Sequence, residues 1–134
     1  MLVKKKIPKQ LITLVQLTLP YKGFFREHGS YITSINDSTL RQVSYDSSTV
    51  NLFILTGNTS SYTLDRITPV GDTISIQDNF ELNENNEFGD TTGGGSSYYH
   101  MFIKIGTDSL FVDRVKQSGR PNVSLWEVNA QKLN

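Results

Sequence analysis

The chain has 134 residues, of which 13 are Lys or Arg and 13 are Asp or Glu, so its formal net charge is zero. This length fits one domain with one hydrophobic core, and the 37% apolar content is low for a globular domain. A neutral chain lacks the positive field of nucleic-acid-binding proteins, and the absence of cysteine excludes disulfides, thiolate nucleophiles and cysteine-based metal sites.

The chain starts with a basic arm, residues 1–10, which includes Lys4, Lys5 and Lys6. Such a terminus is either solvated or in contact with an acidic neighbour. The apolar run that follows is interrupted by polar residues and has no cleavage site after it, which excludes a signal peptide. No run reaches the roughly 20 apolar residues needed to span a bilayer. We therefore expect no leader and no membrane anchor.

Residues 11–19 carry apolar side chains on both faces, with Leu14 on one of them. This pattern predicts either a central strand covered on both sides or a strand completed by another subunit. Pro20 is expected to end the strand. The next segment, residues 21–29, has the composition of a loop with three aromatic residues. Its aromatic side chains could either bind a partner or close the end of the fold; they are Tyr21, Phe24 and Phe25.

Short β-rich runs then recur about every ten residues, which is typical of all-β domains. The predicted strands are 31–35, 40–45, 50–55, 61–68, 73–78 and 123–128. Together with the hairpin described next, they predict a single β-domain over 11–134, with about eight short strands and little or no helix. The expected architecture is an antiparallel β-sandwich, a jelly-roll-like fold or a small barrel.

The clearest element is a β-hairpin over 97–115, whose turn is formed by residues 106–109. Symmetric closure of the turn places Ile105 opposite Leu110 and Lys104 opposite Phe111. One face is then apolar almost to its end and should be core. The other face mixes aromatic and charged groups and suits contact with another molecule; it carries Tyr98, His100, Phe102 and Phe111.

Residues 80–97 are predicted to be a long surface loop, acidic in its first half and glycine-rich in its second. Its Asp, Glu and Asn oxygens are ligands that Ca²⁺ prefers, but the spacing does not match an EF-hand loop. A solvated loop is the favoured interpretation, and we predict neither a metal nor a cofactor. We expect neighbouring chains to hold this loop and the basic arm in place.

No catalytic motif is present, and His28 and His100 are the only histidines. We therefore predict a non-enzymatic structural protein of a multi-subunit assembly. The predicted setting is a phage-like virion assembled in the host cytoplasm, where the chain would be a capsid-decorating, minor capsid or tail-associated protein. Its partners would be other protein subunits, including copies of itself. The predicted interface residues are Lys4, Lys5, Lys6, Leu14, Tyr21, Phe24, Phe25, Tyr98, His100, Phe102 and Phe111.

The alternative function is a carbohydrate-binding β-sandwich module, in which exposed aromatic rings stack on sugar rings. Tyr21, Phe24 and Phe25 would form the binding platform, and Trp126 is a second candidate. Trp126 shares a strand face with Val128, however, so a place in the core is the better prediction for it.

Overall fold

The computed structural model describes residues 17–36, 39–58, 60–95, 97–119 and 122–134. All regular structure in these ranges is β, as predicted. The eight strands are β1 (Leu17–Asn36), β2 (Thr39–Gly57), β3 (Tyr62–Ile67), β4 (Thr73–Phe80), β5 (Glu87–Gly94), β6 (Ser97–Ile105), β7 (Ser109–Ser118) and β8 (Val123–Lys132). The predictions for the basic arm and for Leu14 lie outside the described residues.

The eight strands form one antiparallel sheet in the order β4-β3-β2-β1-β8-β7-β6-β5. Strands β1 to β4 pair in sequence order, and so do strands β5 to β8. The two halves are joined because β1 also pairs with β8. Residues 81–86 lead from one edge strand, β4, to the other, β5. The sheet is curled and single. It is therefore not the two-layered sandwich or jelly roll that was among the predicted architectures.

The curl brings the two edge strands together at one end. The rings of Phe80 in β4 and Phe88 in β5 lie 5.2 Å apart between centroids, although no backbone ladder joins these strands in the described part of the chain. The concave face encloses one continuous core. Its fully buried members are Tyr21, Phe53, Leu55, Leu64, Met101, Ile103, Leu110, Val112 and Val128.

The hairpin of β6 and β7 has the predicted register, with Ile105 opposite Leu110 and Lys104 opposite Phe111. Met101 and Ile103 are buried, as expected for the core face. The hairpin register could be predicted because a glycine-containing turn and an alternating pattern both act locally.

The predicted loop at 21–29 and the predicted strand end at Pro20 are wrong, because β1 runs unbroken through both. Pro20 pairs with Ile54 on β2, and its carbonyl oxygen accepts a hydrogen bond from the N–H of Leu133 (2.9 Å) beyond the end of β8. Because β8 has ended there, the sheet does not need the N–H that proline lacks.

The predicted strands 40–45 and 50–55 were separated by residues 46–48, whose composition is that of a turn. This separation is also wrong, since residues 46–48 are part of β2. Asp46 is held in the sheet by Arg26 of β1, whose Nε donates to Asp46 Oδ1 (3.0 Å) and whose Nη2 donates to Oδ2 (2.9 Å). The Nη1 of Arg26 also donates to Glu127 Oε1 of β8 (3.2 Å). These contacts across strands keep a segment of turn-like composition extended.

Beyond Ser30, β1 no longer pairs with β8. Residues 31–36 of β1 and 39–43 of β2 therefore form a two-stranded extension, here called the hairpin arm. Several large apolar side chains on the arm are exposed: Tyr31, Ile32, Ile35 and Leu40.

The predicted loop over 80–97 is wrong for its second half, where β5 pairs with β6. The turn that precedes β5 is closed by Asn83, whose Oδ1 accepts hydrogen bonds from the N–H groups of Asn85 (2.8 Å) and Glu87 (3.0 Å). Glycine and threonine in β5 gave this strand the composition of a connector, which hid it from sequence analysis.

The Arg26–Asp46 pair makes a pH-dependent contribution to stability. Hydrogen bonds from Arg26 lower the pKa of the Asp46 carboxyl. A carboxyl with a lowered pKa in the folded state stabilises the fold above its unfolded pKa and loses that effect as the pH falls through the folded pKa.

We expect the Asp46 carboxyl, followed by NMR as a function of pH, to titrate below the ordinary range of about 3.9. Arg26→Gln should return the midpoint towards that value. Arg41→Gln, which changes an exposed arginine of the hairpin arm, should leave it unchanged. An Asp46 midpoint that is the same in wild type and Arg26→Gln would contradict the assignment.

Candidate functional site

The convex face of the sheet carries a row of exposed apolar side chains, here called the outer aromatic surface. Phe24 lies opposite Val50 of β2 on one side and opposite Asn129 of β8 on the other. Asn129 in turn lies opposite Phe111 of β7. Residues opposite each other in antiparallel strands share a face, so the fold aligns these side chains. The outer aromatic surface consists of Phe24, Val50, Leu52, Phe102 and Phe111.

Exposure and ring contacts define this surface further. Phe24 is 61% exposed, and Phe111 and Val50 are exposed as well. The rings of Phe102 and Phe111 are 6.2 Å apart in an edge-to-face arrangement. A cluster of large apolar side chains in water is typical of an interaction surface, whereas single exposed apolar residues are ordinary.

Tyr98 and His100 lie on the same convex face, four and two residues before Phe102 on β6. His100 Nδ1 is 2.8 Å from the Thr91 hydroxyl of β5. Five predicted interface residues are thus on one face of the sheet: Phe24, Tyr98, His100, Phe102 and Phe111.

Two other predicted interface residues are buried. Tyr21 and Phe25 point into the concave core and are 1% and 3% exposed. Burial raises the pKa of the Tyr21 hydroxyl, and the nearby charge of Asp108 acts in the same direction. Neither ring presents a surface to a partner, because the alternation along β1 turns residues 21 and 25 inward while it turns residue 24 outward.

The middle of the concave face contains two arginines stacked on aromatic rings, here called the arginine–aromatic stack. The guanidinium carbon of Arg66 lies 3.9 Å from the centre of the Phe25 ring. Phe25 contacts Trp126 edge to face at 5.4 Å. The guanidinium carbon of Arg114 lies 3.6 Å from the centre of the Trp126 ring. Four strands, β3, β1, β8 and β7, contribute one member each.

Neither stacked arginine makes an ion pair within the described residues. Arg66 donates to Asn51 Oδ1 (3.4 Å), and Arg114 donates through Nη2 to Ser124 Oγ (2.8 Å). Burial lowers the pKa of both guanidinium groups. The charge of Glu27 opposes this effect for Arg66. For Arg114 the largest opposing contribution comes from Tyr99, followed by Glu27. Contact with the ring faces offsets part of the cost of burying the two charges.

Beside Arg114 the concave face opens into a cleft of about 400 Å³, here called the polar cleft. It lies at the end of the sheet next to the hairpin arm, where the apolar core gives way to charged and hydroxyl-bearing side chains. The residues that line it include Glu27, Tyr31, Tyr45, Arg114, Lys116, Ser124 and Trp126.

Sequence analysis did not find the polar cleft or the stack. One signal was present: the inner row of the predicted hairpin, otherwise apolar, ended at Arg114. An arginine in an otherwise apolar row indicates a buried charge, which requires a partner in the folded structure. Its partner Trp126 was correctly predicted to pack against the core, where it contacts the buried cluster.

Within the described residues there is no group of three or more His, Cys, Asp or Glu side chains placed to hold a metal ion. The same part of the chain has no helix of the length and apolarity that a membrane crossing requires.

No protein-family model matches this chain, and comparison with curated proteins and with solved structures gives no match. The functional proposals below therefore rest on the geometry of the two surfaces just described.

Proposed function

We propose that this protein is a non-enzymatic structural component of a multi-subunit assembly, and that its outer aromatic surface binds other protein subunits. The setting we propose is a phage-like virion, in which the chain would decorate the capsid, form a minor part of it or belong to the tail. The observation that carries the protein-interface proposal is the alignment on one face of Phe24, Phe102 and Phe111, which come from three different strands, β1, β6 and β7.

The energetics of such a surface favour a protein partner. Large aromatic side chains dominate interface free energies when they are buried at the centre of a contact. The hairpin arm adds further apolar surface at one end of the sheet, through Ile32 and Leu40, the latter 70% exposed. A net charge of zero also lowers the electrostatic repulsion between copies of the chain.

The carbohydrate alternative has less support. Two of the three rings expected to stack on sugars, Tyr21 and Phe25, are buried. The Trp126 ring has Arg114 over one face and Phe25 against it.

The experiment that tests the proposal compares the oligomeric state of wild type with that of the double variant Phe24→Asp and Phe111→Asp. Light scattering over a range of concentrations should show that the wild-type chain self-associates. Placing two carboxylates in the contact should weaken association at least about 30-fold, the scale of losing one interface hot spot of about 2 kcal/mol.

The matched control is Val70→Asp, which adds a charge at a turn residue that is 84% exposed and outside the outer aromatic surface. It should associate like wild type. Hydrogen exchange across β1, β2 and β7 should be slower in the associated state only. A wild-type chain that remains monomeric at every concentration, with unchanged exchange in these strands, would refute self-assembly through this surface.

A further inference from the structure

Two residues that line the polar cleft each carry a buried N–H donor that has no acceptor among the described residues. One donor is Nε of Arg114, a residue that is only 8% exposed, and the other is Nε1 of Trp126. The two side chains are stacked on each other. Arg114 has one hydrogen bond, to Ser124, and no carboxylate within ion-pair distance in the described part of the chain.

Leaving these donors and the Arg114 charge without partners is energetically unfavourable. A buried donor without an acceptor destabilises the fold, and a buried charge without a counterion does so more strongly. A negatively charged ligand group with several acceptor oxygens beside the Arg114 guanidinium would supply a counterion and remove the larger of these costs.

The charges around the polar cleft favour the same ligand group. Arg114 and Lys116 lie two residues apart on β7 and both line the cleft, whereas Glu27 is the only acidic residue among the described residues that line it. Ser124 Oγ links the basic and the acidic side chains of the cleft. It accepts a hydrogen bond from Arg114 (2.8 Å) and donates a longer one to Glu27 Oε2 (3.5 Å). The lining therefore carries one net positive charge.

We propose that the polar cleft binds a small molecule that carries an oxyanion, either a carboxylate or a phosphate, with Arg114 as its charge partner. The phenol groups of Tyr31 and Tyr45, whose rings are 6.2 Å apart, supply hydroxyls and ring surface for a polar ligand body. A cleft of about 400 Å³ has the size of a small-ligand site. This proposal does not depend on the outer aromatic surface, which is on the opposite face of the sheet.

Trp126 is the only tryptophan in the chain, so its fluorescence reports directly on the cleft. We would titrate the full chain separately with glucuronate, inorganic phosphate and neutral glucose. The expected result is a saturable change in emission with one or both anions and none with glucose. Binding of glucuronate alone would identify a carboxylate ligand with a sugar-like body, and binding of phosphate alone would identify a phosphate ligand.

Variants then test the assigned charges. Arg114→Gln should weaken anion binding more than about tenfold, because it removes charge-assisted hydrogen bonds. Lys116→Gln should weaken binding about threefold and Glu27→Gln should strengthen it by a similar factor, as expected for partly exposed charges. These last two variants keep the test decisive if Arg114→Gln does not fold. No emission change with either anion, equal binding of glucose, or the same affinity in Lys116→Gln and Glu27→Gln would overturn the proposal.

Discussion

Replacing Phe53 with alanine is expected to lower the free energy of unfolding by about 3–5 kcal/mol, the cost of deleting a buried aromatic side chain. Phe53 is fully buried on the inner face of β2. It lies opposite Tyr21 of β1 and Arg66 of β3. The alanine variant would leave a cavity where three strands pack together. Urea denaturation of both proteins measures the difference.

The control for this change is Leu52→Ala, which alters the neighbouring residue on the same strand. Leu52 faces outward and is partly exposed, so its truncation should cost less than about 1 kcal/mol. If the two variants lost similar stability, the assignment of the inner and outer faces of β2 would be wrong.

Gly23→Ala is expected to destabilise the fold by about 3 kcal/mol or more, at the upper end of the cost of overpacking. A Cβ on Gly23 would lie inside van der Waals contact of the backbone oxygen of Asn129 and of the Ala130 backbone. Both atoms belong to β8, so an alanine side chain cannot be accommodated by rotating a neighbouring side chain. The two paired strands would therefore have to separate.

The matched control is Gly89→Ala in β5, where a Cβ would meet nothing within 4 Å. This change should be neutral or slightly stabilising, because alanine loses less backbone entropy than glycine on folding. Thermal unfolding of the two variants provides the comparison. Equal losses at residues 23 and 89 would show that the close approach of β8 to β1 is not a constraint.

Sequence analysis predicted the all-β class, the number of strands and the register of the β6–β7 hairpin. These features depend on local alternation and on one turn, from residue 106 to residue 109. It failed for β1, because residues 21–29 have the composition of a loop, and for β2, because residues 46–48 have the composition of a turn. Their extended conformation depends on Arg26, which is distant in sequence.

The same difference between local and long-range contacts applies to the outer aromatic surface and to the arginine–aromatic stack. Phe102 and Phe111 could be placed on one face because they belong to one hairpin, whereas Phe24 joins them only through β8. The arginine–aromatic stack needs β3, β2, β1, β8 and β7 to follow one another in the sheet in this order. No period in the sequence encodes that order of strands, so neither the stack nor the polar cleft could be predicted.

The pairing of β1 with β8 also constrains how the chain reaches its folded state. Every other pairing in the sheet joins consecutive strands and can form by closing a short loop, so the β1–β4 and β5–β8 segments can each assemble locally. Arg26 and Glu127, which meet across β1 and β8, are 101 residues apart in the chain. Closing so large a loop costs entropy before any contact compensates for it. We therefore expect formation of the β1–β8 ladder to be the slow step of folding, in which two half-sheets become one cooperative unit.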